Sequence, residues 1–336
     1  MYFNIIFTYK LFYLFNLFIL SLSDCGCGLN RAEECSSTQE NEIKPNNKYS
    51  KDVNSNSPHQ SKLSHSNMQL IRKGTFEMGT NKPIFKGDFE GPARNVTIEQ
   101  DFYLDTYEVS NRDFYDFVRE TGYKTEAETF GDSFVFEMAL PEGQRDLYQD
   151  IRASQAPWWI KLNGVTWKHP EGPGSTIEDR MTHPVTHVSW NDAVAYCRHF
   201  GKRLPTESEW EMACRGGLKQ KLYPWGNKLN PKGQHWANIW QGDFPKVNTA
   251  EDGYLFTCPV DEFPPNKFGL HNMAGNVWEW VQDGWQTDPE NSKVKKGGSF
   301  LCHESYCWRY RCAARSTNTK DSSAGNLGFR CAADAR

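Results

Sequence analysis

Polar and apolar positions fall into three short helical phrases, with little that is long and regular around them. Ser110-x-x-Asp113 precedes Phe114, Phe117 and Val118, and Gly122 closes the run. A serine capping the first turn, answered three residues on by an acid, marks a helix start, and a glycine behind it marks an end. The device recurs at Ser189-x-x-Asp192, ahead of Ala193, Cys197 and Phe200 before Gly201. It appears a third time at Thr206-x-x-Glu209, ahead of Trp210, Ala213 and Cys214 before Gly216-Gly217. This spacing puts Cys197 and Cys214 on inward faces. Leu70-Ile71 and Thr75-Phe76-Glu77-Met78, either side of Lys73-Gly74, read as short strands around a turn. From Tyr223 to Trp285 the chain is dense in Gly, Pro, Asn and Trp, which predicts loops.

The first 67 residues follow other rules. Met1 to Ser23 reads as a secretory signal, with Lys10 before an apolar run to Leu22 and small residues at Ser21-Leu22-Ser23 for cleavage. Residues 24–67, rich in Asn, Ser, Lys and Gln, bury too little to order and read as a flexible extension. It carries Cys25-Gly26-Cys27-Gly28, two close thiols suited to mixed-disulfide exchange. The folded domain is expected over 68–336, and no later stretch is apolar enough for a membrane span. Ten cysteines then meet an oxidising lumen and read as bridges plus any catalytic pair. Asn95-Val96-Thr97 is an N-glycosylation acceptor.

Composition narrows the function. A net charge of −4 with no concentrated basic surface argues against nucleic acid as a partner. Twelve tryptophans suit irregular backbone pinned by large side chains. Chemistry concentrates in Gly297–Cys312, where three cysteines, two arginines and four aromatics follow a glycine pair. Cys302 and Cys307 are close enough for one turn to bring both sulfurs to a point, as a disulfide or as two ligands of one metal ion. Neighbouring Arg309 and Arg311 could favour the thiolate form or, with Arg330, pair with buried carboxylates. Zinc at Cys302, His303, Cys307 and Cys312 is a weaker reading, because there is no C-x-x-C knuckle and adjacent residues rarely ligate one ion.

Lys296-Gly297-Gly298-Ser299, then Cys302-His303-x-Ser305-Tyr306-Cys307-x-Arg309-Tyr310-Arg311-Cys312, then Asp321-Ser322-Ser323-Ala324-x-Asn326-Leu327-Gly328-Phe329-Arg330-Cys331, resemble the formylglycine-generating enzyme (sulfatase-modifying factor) family. The likeness runs from about Gly74 to Asp334. It implies an α+β, C-type-lectin-like fold of low regular content, stabilised by disulfides and calcium, with Cys197 paired to Cys331 and Cys214 to Cys312. It implies an oxidase that uses dioxygen and Cu(I), held by Cys302 and Cys307, to convert the cysteine of Cys-x-Pro-x-Arg in unfolded sulfatases to Cα-formylglycine. Soft thiolates do select Cu(I). A metal-free dithiol/disulfide couple is the other chemistry these sulfurs allow.

The resemblance further implies that Ser299 is catalytic and that Trp278, Tyr306, Asn326 and Glu108 line the peptide groove. It implies two structural Ca²⁺ sites, one at Asn238, Ile239, Asp252 and Tyr254 and one at Asn272, Gly275, Val277 and Glu279. Amide, carboxylate and carbonyl oxygens are the donors calcium prefers. Lumenal thiol oxidoreductases or chaperones acting on Cys25 and Cys27 are the implied partners. The endoplasmic reticulum lumen is the expected site, with partial secretion, because Ala333-Asp334-Ala335-Arg336 is no retrieval signal. The alternative is a non-catalytic lumenal binding or regulatory paralogue of the same fold, which lacks the active cysteines; both are present here.

Overall fold

A computed structural model of the chain describes residues 67–145, 151–154 and 156–335. The expected signal, the extension with Cys25 and Cys27, and Cys35 lie outside the described residues. Among those described, the strands are β1 (Met68–Ile71), β2 (Gly74–Met78), β3 (Arg94–Ile98), β4 (Phe102–Asp105), β5 (Asp132–Phe136) and β6 (Arg152–Ala153). They continue with β7 (Ala156–Asn163), β8 (Trp278–Trp285), β9 (Asp288–Lys296), β10 (Arg315–Thr319), β11 (Leu327–Phe329) and β12 (Ala332–Asp334). The helices are α1 (Asn111–Thr121), α2 (Glu126–Phe130), α3 (Glu142–Arg145), α4 (Trp190–His199) and α5 (Glu207–Arg215). None is long and apolar enough to cross a membrane.

The three expected helices form where their caps say. Ser110, Ser189 and Thr206 each accept from the backbone three residues on, and Asp113, Asp192 and Glu209 return the bond. Such a cap contributes about 1 kcal/mol. Gly122 and Gly216 end α1 and α5 in left-handed geometry. Helix α4 instead stops at His199 with Phe200 as its cap, one turn position earlier than the apolar pattern suggests. A further cap, Thr125 with Glu128, opens the five-residue α2, too short for periodicity to reveal.

Two expectations are corrected. The strands on either side of Lys73-Gly74 exist but do not pair with each other: β1 joins β4, whereas β2 joins β3. The stretch from Tyr223 to Trp285 is loop only as far as Val277, because β8 fills its last eight residues. That strand lies between β9 and β11 in the sheet β10-β9-β8-β11, so Trp278, Glu279, Trp280 and Val281 are all buried. A strand covered on both faces loses the polar alternation that would advertise it.

Of three hydrophobic cores among the described residues, two bear on the site, the third being the Val135, Leu140, Ile160, Leu162 and Val165 cluster under β5 and β7. The larger gathers Phe114 and Phe117 of α1, Tyr196 of α4, Trp278 and Trp280 of β8, and both Cys302 and Cys307. The smaller places Trp210 and Cys214 of α5 against Ile71, Phe102, Leu104, Cys312 and Ala332. Bridges tie the last quarter of the chain to the helices, Cys197 to Cys331 and Cys214 to Cys312, as the resemblance implied. They span 134 and 98 residues, worth about 4 to 5 kcal/mol each in the chain-entropy model.

Candidate active site

Strand β9 delivers the chain into Gly297-Gly298, and the second glycine sets the close approach that follows. A Cβ at Gly298, whose φ is +72°, would stand 2.8 Å from the Tyr310 nitrogen. The next residues fold into a turn in which Cys302 N–H donates to the Ser299 carbonyl at 2.9 Å, and Ser299 N–H points at Cys302 Sγ at 3.4 Å. A second turn, with Tyr306 and Cys307 N–H both donating to the His303 carbonyl, brings Cys307 back over Cys302. The two sulfurs stand 2.6 Å apart. Neither belongs to the bridges above, and both are covered, at 1% and 0% exposure. Cys312 is bridged to Cys214, which removes it from any zinc set. His303 turns toward the Ser305 hydroxyl at 2.8 Å.

Ser299, whose N–H meets Cys302 Sγ, also carries a buried hydroxyl. Its Oγ accepts from Asn326 Nδ2 at 3.0 Å and from Leu301 N–H at 3.4 Å. With its lone pairs engaged, its proton remains available to donate. Tyr306 is half-buried and stacks on Phe244, ring centroids 4.4 Å apart, with Trp158 edge-on at 4.9 Å. Trp240 N–H donates to the Cys302 carbonyl and carries the Phe244 ring, so this aromatic group is tied to the cysteine turn. Trp158 and Phe244 escaped the sequence reading. Their one signal was the tandem Trp158-Trp159, in which β7 turns the first ring outward and the second into the core.

Two expected roles change. Trp278 has no exposed surface, lies under the Lys295 ammonium at 4.9 Å and cannot line a groove. Glu108 is 2% exposed and accepts from Asn272 and Asn276 side chains, so it too is part of the interior. Burial, opposed by Arg330, pushes its carboxyl up to about 7. Arg309 and Arg311 pair with the carboxylates of Asp88 and Glu90.

The two expected calcium sets adjoin one another. A Cβ at Gly275 would collide with the Asn238 carbonyl, and Asn276 N–H donates to that same oxygen. Asp252 accepts from Ile239 and Tyr254 N–H, and burial raises its pKa. Asn238 Oδ1 and Asn272 Oδ1 are buried acceptors without a donor. Such oxygens are what a hard cation takes up, so the donors fit calcium at both places. Glu279 carries less of the second set, since Arg330 and Trp210 already occupy its oxygens. Cys258, between the sets, is a buried free thiol whose pKa burial raises.

Residues 53–335 match the family model described as the sulfatase-modifying factor enzyme 1-like domain. The chain is 60% identical over 281 residues to the formylglycine-generating enzyme of Bos taurus, covering 80% of this chain and 74% of the relative. It is 47% identical over 272 residues to the protein of the same organism named inactive C-alpha-formylglycine-generating enzyme 2, covering 80% and 88%. Among solved structures, PvdO from Pseudomonas aeruginosa shares the fold with a TM-score of 0.57 at 24% identity, over 80% of this chain and 94% of that one.

Proposed function

This chain belongs to the sulfatase-modifying factor family, a cysteine-to-formylglycine oxidoreductase by that descent, and from that premise we propose that it acts on Cys-x-Pro-x-Arg in unfolded sulfatases with dioxygen and Cu(I). One observation carries this reading over that of an inactive relative: Cys302 and Cys307 hold their sulfurs together, apart from the bridges Cys197–Cys331 and Cys214–Cys312. The deciding experiment is mass spectrometry of such a peptide after incubation with purified, copper-loaded protein in air. Loss of the cysteine sulfur and gain of an aldehyde is expected. A folded, loaded protein that leaves the peptide untouched would favour a binding role.

The donor set suits the metal, since two soft sulfurs held together select Cu(I) over harder ions. Held by Cys302 and Cys307, Cu(I) would supply the one-electron chemistry with dioxygen that side chains lack. The chain's own residues do the rest. The Ser299 N–H stabilises negative charge on Cys302 Sγ. The Ser299 hydroxyl, fixed by Asn326, donates to the group that arrives beside the sulfurs. Covering both cysteines excludes bulk water, and the Tyr306, Phe244 and Trp158 surface offers an apolar seat for the peptide flank.

Calcium at the Asn238 and Asn272 sets is part of the same proposal. Chelation is expected to lower the thermal midpoint, and free calcium at a hundred times its Kd to restore about 2.7 kcal/mol. Asn238→Ala should blunt that response, and a midpoint indifferent to chelator would remove calcium from the account.

We place the protein in the endoplasmic reticulum lumen, where Cys25 and Cys27 exchange with thiol oxidoreductases. Asn95 is exposed on β3, as a glycan acceptor must be. Expression in secretory cells should give a species that glycosidase shortens by one N-glycan and that Asn95→Gln lacks. An unshifted wild type would sink the glycan.

A further inference from the structure

Residues 79–91 form a strap that reaches across the molecule to the cysteine loop. At its roots, Gly79 N–H donates to Glu211 of α5 at 2.7 Å, and Arg215 donates to the Gly79 carbonyl at 2.9 Å. Thr80 N–H closes the strap by donating to the Glu90 carbonyl, and a Cβ at Gly91 would collide with the Thr80 carbonyl. The strap therefore has a fixed shape and a fixed base.

Its far edge carries two carboxylates that meet the arginines two and four residues beyond Cys307. Asp88 accepts from Arg309 Nε at 2.5 Å and Nη2 at 3.1 Å, with the Phe85 ring 3.9 Å from the same guanidinium. Glu90 accepts from Arg311 Nη1 at 2.6 Å and Nη2 at 3.1 Å. Glu90 is itself aimed by Ile84 and Phe85 N–H. Both pairs are forked, and both guanidiniums and Glu90 are buried. Planar, two-point pairing fixes direction as well as distance.

The two sulfurs are thus held by separate means. Cys302 is set by the Ser299 turn and by Phe300 N–H on the Asn276 carbonyl. Cys307 sits between that turn and a segment gripped at residues 309 and 311 by the strap and at 312 by its bridge to Cys214. We propose that Asp88 and Glu90 are positioning residues which, through Arg309 and Arg311, hold Cys307 against Cys302. The role in turnover rests on the oxidation proposed above; the role in bringing the sulfurs together does not.

The test reads the proximity directly. Purified full-length protein is equilibrated in glutathione buffers, acid-quenched, alkylated and mapped for the Cys302–Cys307 peptide. In that exchange two protein thiols and one oxidised glutathione give one protein disulfide and two reduced glutathiones. Glu90→Gln and Asp88→Asn should each lower this equilibrium constant at least about tenfold, a rise of about 30 mV in the pair's potential. Peptide turnover should fall at least about tenfold in kcat, with KM little changed. Lys86→Ala, exposed on the same strap, should match wild type in both. General destabilisation would lower the thermal midpoint without moving the native pair's potential. If Glu90→Gln does not fold, Asp88→Asn at the less buried pair decides. Wild-type potentials in the folded carboxylate variants would overturn the proposal. A shifted potential in proteins that oxidise no peptide, wild type included, would uphold the strap and reject the reaction.

Discussion

Serine in place of Cys302 or Cys307 should cut aldehyde formation in a Cys-x-Pro-x-Arg peptide by at least about a thousandfold, equivalent to about 4 kcal/mol of barrier. The replacement changes one atom. A hydroxyl fills nearly the same space, so the turns that Ser299 and His303 build with the backbone should survive. It is a poor ligand for a soft metal and has no reversible two-electron couple, so copper and dithiol chemistry fail together. The pairings Cys197–Cys331 and Cys214–Cys312 are untouched, and the thermal midpoint should move by only a few degrees. Mass spectrometry of the peptide beside a melting curve of each variant separates lost chemistry from lost fold. Turnover near wild type in either variant would remove the pair from the reaction.

Arg330→Met should be the most damaging single change for stability, at about 3 to 5 kcal/mol. All five guanidinium N–H groups are used: Nε and Nη2 on Glu279, Nη1 on the Asp105 and Thr106 carbonyls, and Nη2 also on His271. Methionine fills the space but removes the cation facing Glu279 in the interior, and takes a donor from each of three carbonyls, of which Thr106 keeps His271 N–H. Glu279 lies on β8 opposite Gly328 of β11, so the loss falls on the seam joining the last strands to the main sheet. At about 2 to 4 °C per kcal/mol, the midpoint should drop by roughly 10 °C. Adding Glu279→Gln should recover part of it, since the stranded charge is then gone. Strict additivity of the two changes would show that the pair is not coupled.

What could be read from the chain was local. Ser110 with Asp113, Ser189 with Asp192 and Thr206 with Glu209 close their bonds within three residues, and Cys302 with Cys307 within five, so spacing revealed each. The bridges needed the family resemblance, because spacing does not choose a partner across 134 residues. That Arg309 and Arg311 could meet buried carboxylates was legible, but not which ones, because Asp88 and Glu90 lie 221 positions away. Glu108 and Trp278 kept the polar or aromatic character of groove residues while the fold enclosed them. Strand β8 was hidden for a related reason, since Glu279 interrupts an apolar run and is made tolerable by the distant Arg330 and Trp210.

Strand β12 pairs with β4, and β1 occupies β4's other side. A ribosome therefore has to release residues 332–334 before the opening sheet can gain its third member, and Cys331 before Cys197 finds its mate. Until then more than two hundred residues wait with α4 and α5 half-dressed, a long interval in which chaperones must shield the apolar faces. Nonsense changes that remove Cys331 and β12 should consequently behave as folding lesions, degraded before any chemistry is at stake.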